Sequence, residues 1–446
     1  MTSISELTSE AAIERHRESW QELWEETPGA SFAQHIDWYL AWCRENSHRV
    51  RPRVLLAGMA GKSVGLLPLV ERRDDSTRGQ VRLEFASVGW SAFCGPLGRN
   101  PAATWLLAMR WLQNQPWHLD QIVLHNLDRN GTDHGRAMNA MRVCGMKAQQ
   151  PPGGKVPLIE TSGSQAAFDA TRPAEMQNDL AAAERTLARS GRVQFVRFRS
   201  DGQAGTQPGT GRTLLEHCHR LRRLSSGGIV GPMNSTPLAS GRRLTDGFLE
   251  ETHRVAVAAG AADICLLHLS GDPVAAVYSH HVAGRLEGVY CGMHPEAPPE
   301  AMLVLFDRLV RDSFCRGDQS LVPPAGLIVP WQGWQTRTLT RSCVSHQASG
   351  LLKTGFNRLV RMFHRPAKAA VSRPSLPHTA GPITGLTASQ PAGEPCDLRD
   401  TTPESVACLT APRVDVAAGT APEQPVALAP GQPTARPHLR IARFPE

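Results

Sequence analysis

The sequence predicts an α/β protein with mixed sheets flanked by helices, built as two similarly ordered halves and a tail. Three observations predict it. Residues 263–316 read as three strands joined by two tight turns, then a helix. That order recurs: each half has helices, a strand–turn–strand, another strand and a helix, and residues 58–70 parallel 270–278. Past residue 345 the composition changes, and Pro, Ala, Thr and Gly come to dominate.

Residues 9–27 alternate Glu and Arg around Ile13, Trp20, Leu23 and Trp24, which predicts an amphipathic helix ended by Pro28 and Gly29. A second helix is expected over 32–44, carrying Trp38, Tyr39 and Trp42. Residues 53–59 and 63–70 read as strands about a turn at Ala60, Gly61 and Lys62. Gly61, Lys62 and Ser63 match the end of a phosphate-binding loop. The Gly such a loop needs five residues earlier is Leu56, and Gly65 and Pro68 break the helix it requires. A strand at 82–88, a loop to Gly98, a helix over 101–113, a strand over 119–127 and a helix over 131–145 complete the first half, placed at 1–160.

The second half, 161–345, opens with a helix over 174–190 stopped by Gly191, then an alternating strand over 193–199. Residues 202–211 read as a loop. Helices follow at 214–224 and at 244–259, the latter ended by Gly260. In the meander, Gly271 and Asp272 supply positive φ for the first turn. Pro298 and Pro299 start the last helix, whose Leu303, Phe306, Leu309, Val310 and Phe314 share a face. Residues 346–365 read as a basic amphipathic helix. It either contacts an anionic membrane through 350–365 or docks on the domain. Residues 366–446 read as disordered, with too little apolar surface to offset the entropy of ordering.

Hydrophobic residues make up 41% and charged residues 20%, an ordinary globular balance. The net charge of +7 favours anionic partners. Part of it lies in a short cluster, Arg220, Arg222 and Arg223, and a nucleic-acid partner is not expected. The ten cysteines form no C-x-x-C pair and several sit in apolar runs, which points to a reducing cytoplasm. No signal-like N-terminus is evident, and no apolar stretch approaches the roughly 18–20 residues of a membrane span. The expected location is the cytoplasm, with contact at the inner membrane face as the alternative. His217, Cys218 and His219 look like metal ligands only superficially, since residues two apart on a helix face different ways. No metal is expected.

A meander feeding a helix at its open end is similar to the core order of the GNAT acyltransferase superfamily. The details resemble its CelD-type, FemAB-related branch (BioF-associated acetyltransferase-like). The resemblance rests on four stretches. They are the hairpin Gly271, Asp272, Pro273, Val274, Ala275 and Ala276, the opening Ser31 and Phe32 with Trp38 and Trp42, the Gly-Leu-Leu-Pro-Leu strand at 65–69, and Arg185, Arg189, Gly191, Val193 and Phe195. It spans residues 20–340. It implies two tandem GNAT-like (acyl-CoA N-acyltransferase) domains and acetyl-CoA or another acyl-CoA as donor. The implied acceptor is a small molecule, glycan or peptide amine or hydroxyl, in cell-envelope or polysaccharide metabolism.

In such a domain the donor lies along a splayed strand and at the N-terminus of the next helix, whose free N–H groups favour pyrophosphate. The resemblance places Cys291, Gly292 and Met293 there, with Arg185 and Arg189 as phosphate contacts. Pro298, Pro299 and Glu300 stand where CelD-type proteins carry Ser-Pro-Gly. The Tyr-Lys pair usual after the helix has no counterpart. His280 and His281, adjacent on a strand, are candidate general bases, one facing in and one out; structural or surface roles compete. Tyr290 would protonate a leaving thiolate, against core packing. Asp263 and Tyr278 are further polar groups on that sheet. Two other readings stay open: a FemX-like aminoacyltransferase using aminoacyl-tRNA, which the basic charge suits, and a degenerate GNAT-like binding protein, which the altered loop suits.

Overall fold

Three two-residue turns set the strand pattern. Ala60 and Gly61 have φ of 51° and 82°, Ser270 and Gly271 54° and 100°, Ala283 and Gly284 48° and 79°. Left-handed φ at both positions gives a turn whose twist matches the flanking strands. The first turn makes the Gly61-Lys62-Ser63 fragment a hairpin. In the second, positive φ falls on Ser270 and Gly271 instead of Gly271 and Asp272, because Asp272 already opens the next strand.

The computed structural model describes residues 2–74, 80–87, 89–115, 120–200, 208–225, 245–324, 327 and 331–347. Every described residue lies within one compact unit. The tail expected over 366–446 lies outside the described residues. So does the basic helix at 346–365, except His346 and Gln347, which are strand.

The first half contains β1 (Thr2–Leu7), α1 (Glu10–Glu14), α2 (Arg17–Glu25), α3 (Ile36–Glu45), β2 (Val50–Pro52), β3 (Val54–Met59), β4 (Lys62–Leu67), β5 (Leu69–Asp74), β6 (Gln80–Phe85), α4 (Pro101–Gln113), β7 (Gln121–Asp128), α5 (Thr132–Val143), β8 (Ala148–Gln149) and β9 (Lys155–Glu160). The second contains α6 (Gln165–Thr171), α7 (Ala174–Ser190), β10 (Val193–Arg199), α8 (Pro208–Leu224), α9 (Asp246–Ala258), β11 (Ala262–Leu269), β12 (Asp272–Val282), β13 (Arg285–Met293), α10 (Glu300–Cys315), β14 (Ser320–Val322) and β15 (Arg337–Gln347). The single helix expected over 9–27 is two, interrupted at Arg15 and His16. The single strand expected over 63–70 is also two. Pro68, which has no N–H to give a ladder, separates β4 from β5 and sends them into different sheets.

One continuous sheet runs β10-β11-β12-β13-β14-β9-β15-β7-β6-β5-β2, with β8 added to β15; β1, β3 and β4 form a small second sheet. Neighbours in the large sheet are antiparallel except at two places. β13 and β14 run parallel at residues 285–287, and β6 and β7 at 82–84. These are equivalent points in the two halves. The last strands of the halves are exchanged: β9 lies against β14, and β15 lies against β7. The fold is thus mixed α/β, two similarly ordered halves sharing one sheet.

Helices cover both faces. α7 and α10 bury one face of β11 and β12, and α4 and α5 bury β6 and β7. On the other face α8 and α9 meet α2 and α3 in a single core. Trp38, Trp42 and Trp90 there pack edge-on against Phe248 at 5.4–6.3 Å. Arg44 of α3 pairs with Glu251 of α9 at 2.8 Å. Large apolar surfaces from both halves are removed from water together, so this core holds the halves to each other.

Candidate functional site

The face of β12 and β13 beneath α8 and α9 carries paired polar rings. Tyr278 stacks on its cross-strand partner Tyr290, centroids 5.1 Å apart and planes 7° apart. His280, two residues on, lies opposite Glu287. Nδ1 of His253 on α9 is 3.1 Å from the Tyr278 hydroxyl. From α8, the His219 ring lies 6.0 Å from Tyr290 and the Arg222 guanidinium sits over that ring at 5.8 Å. Phe32 of the first half closes the cluster, 4.6 Å from His280. Four buried polar atoms here have no hydrogen-bond partner: Nε2 of His219, Nε of Arg222, Nε2 of His280 and the Tyr290 hydroxyl. Folded interiors satisfy nearly all such atoms.

Burial decides the charge of each group. It lowers His253 to about 4 and His280 to about 3. It lowers His219 too, against the pull of Asp246 and Glu250. It raises Tyr278 and Tyr290, so both stay phenols. A cavity of about 440 Å³ opens between α8 and α9, lined by Gly211, Leu215, His219, Glu250, His253 and, from β10, Phe198. A neutral imidazole with a free nitrogen accepts a proton, and a neutral phenol gives one.

Of the residues singled out in the sequence, His280 and Tyr290 come together here. His281 faces the other way, 3.3 Å from Asp318, in a buried net with Arg197, Arg199 and Asp263. Arg185 and Arg189 are exposed on α7, across the sheet from the cavity. Cys291 also packs on the far face, its thiol pushed by burial to about 12. Gly292 lies under α8, where a Cβ would run into the backbone of Leu221 and Arg222. Met293 N–H donates to the Ser225 hydroxyl at 2.7 Å. His219 and His253 were not singled out as acid–base groups. They come from separate helices, and only packing brings them to one place.

The segment leading into α10 offers few free donors to the pyrophosphate of CoA. The N–H groups of Met293, His294, Glu296, Ala297 and Ala301 all donate within the protein. Pro295, Pro298 and Pro299 have none, and Glu296 and Glu300 add negative charge. Among the described residues no group of His, Cys, Asp or Glu could hold a metal ion, and no helix is long and apolar enough to cross a membrane.

Residues 174–322 match the family model described as Acetyltransferase (GNAT) domain. No curated protein matches the sequence. Among solved structures the chain is similar to FemX, with TM-score 0.53 and 8% identity over 81% of this chain and 99% of that one. It is also similar to L-PGS from Bacillus licheniformis, with TM-score 0.45 and 12% identity over 78% of this chain and 97% of that one. A tandem GNAT protein from the clavulanic acid biosynthesis pathway gives TM-score 0.40 and 11% identity, over 78% and 99%. At such identity the FemX likeness speaks to fold alone. The second half of this chain is thus similar, over residues 174–322, to a GNAT acetyltransferase domain.

Proposed function

We propose that the second half transfers an acyl group to an amine or hydroxyl acceptor bound in the cavity between α8 and α9. The observation that carries this is the unpartnered Nε2 of His219, which lines that cavity, with the unpartnered Tyr290 hydroxyl on the next ring, 6.0 Å from it between centroids. His219 takes the acceptor's proton on Nε2. The acceptor nitrogen or oxygen then attacks the acyl carbonyl, the bond to the leaving group breaks, and Tyr290 gives its proton to the leaving atom. Arg222, over the ring, stabilises the phenolate that remains. Solvent returns the proton gained by His219 to Tyr290, so the cycle closes.

The donor in this reading is an aminoacyl ester on tRNA. The start of α10 disfavours a nucleotide pyrophosphate, and the net charge of +7 suits a polyanionic carrier. The acceptor is a small molecule, a glycan or a peptide.

The test is transfer of labelled amino acid from mixed aminoacyl-tRNAs to a panel of amines by the full chain. His219→Gln and Tyr290→Phe should each lower kcat/KM by about 10²–10⁴-fold without lowering the thermal midpoint. Unchanged turnover in both variants sinks the catalytic assignment. Micromolar binding of acetyl-CoA in calorimetry, lost on changing residues 291–300, would overturn the donor assignment alone.

A further inference from the structure

Arg341 is 2% exposed, and its Nε and Nη1 have no hydrogen-bond partner. Burial lowers its pKa, and Cys94 is the group that opposes this. That thiol is itself neutral, pushed by burial to about 12. An arginine stays protonated in a protein, so a cation is buried here with no ion-pair partner among the described residues.

The carboxylates that act on Cys94 or lie by Gly95, and the one facing Arg341 on β7, have other partners. Glu84 accepts from Arg72 at 2.8 Å. Glu287 pairs with Arg285 at 2.7 Å. Asp133 accepts from Arg136 at 3.1 Å; Asp128, across the ladder from Arg341, accepts the neutral Asn130 N–H at 3.0 Å and reaches no ion-pair distance to the guanidinium. Burying an unpaired charge is strongly unfavourable, and native proteins pair it or bind a counter-ion.

The position has a meaning of its own. β15 pairs with β9 from Arg337 to Thr340 and with β7 from Arg341 onward. Arg341 is where the strand passes from one half's ladder to the other's. Its backbone N–H donates to Gly154 at 2.8 Å. Gly153 lies so close to its carbonyl that any Cβ would collide with it.

We propose that the Arg341 guanidinium binds a small oxyanion, a carboxylate or phosphate group, at the seam between the two halves. The site is separate from the cavity between α8 and α9 and stands whether or not acyl transfer occurs there. The anion supplies the charge the protein withholds, and its binding favours the conformation in which both ladders are joined.

The test is calorimetric titration of the full chain with sodium acetate and, separately, with inorganic phosphate, at ionic strength held constant with sodium chloride. Saturable binding of either is expected; acetate alone identifies a carboxylate, phosphate alone a phosphate. Arg341→Met, which keeps the bulk and removes the charge, should bind at least tenfold more weakly and melt no lower than wild type in the absence of added anion. No saturable binding of either probe to wild type overturns the proposal, and so does undiminished binding by Arg341→Met. If that variant does not fold, the wild-type titration still decides.

Discussion

A phenol whose oxygen touches nothing is a liability to a fold, so Tyr290→Phe separates the two roles of that residue. A structural tyrosine loses stability when its hydroxyl goes. An unpartnered one loses none and gains up to about 1 kcal/mol, while turnover falls. The histidines answer to pH. His253 and His280 are held near 4 and 3 by burial, against about 6.5 in an unfolded chain. Between those values the unfolded chain binds protons that the folded one refuses, so stability rises with pH. It is complete above about pH 6.5 and is lost as the pH falls toward the folded values, at about 1.4 kcal/mol per unit for each histidine. Urea midpoints at pH 7.5 and 5.5 measure it, and His280→Phe should flatten the slope. Equal midpoints at the two pH values would contradict the buried, neutral assignment.

α10 is fastened by a charge as well as by its apolar face. Asp307 accepts from Nη1 and Nη2 of Arg172 at 2.8 and 2.9 Å, and from Trp334 Nε1 at 3.3 Å. Asp307→Ala leaves the Arg172 cation with only the longer Asp169 contact, at 3.6 Å, and chemical denaturation should show a loss of about 3–5 kcal/mol; a loss under about 1 kcal/mol would mean the pair is not buried in solution. Elements with punctuation at both ends were legible in the sequence. α4 starts after Asn100, whose side chain caps it, with Pro101 in its first turn. α7 lies between Pro173 and Gly191. β10 alternates and was read to the residue. β9 was not legible, because Pro157 sits inside it and argues against a strand. β1 and β8 were also missed, being short or polar. For the site, alternation on the meander put His280 and His281 on opposite faces, as found. Nothing local could bring His219 and His253 to Tyr290, since the contact exists only once both helices lie on the sheet.

The whole molecule depends on the exchange of β9 and β15. A chain ended at residue 336 lacks β15, which leaves the ladder edges of β7 and β9 unpaired and exposes the underside of α5. Such a chain should show no cooperative thermal transition for its first half, and limited proteolysis should cut within 1–160; a sharp transition and a protected first half would show that the exchange is dispensable. The exchange also bears on how the molecule is made. Synthesis runs from the N-terminus, so β7 emerges long before the strand that covers it. Those 200-odd intervening residues take on the order of 10–40 s to translate. Through that interval the nascent first half carries an open edge and cannot finish folding, so chaperone access, or aggregation in its absence, is decided on the ribosome before the second half exists.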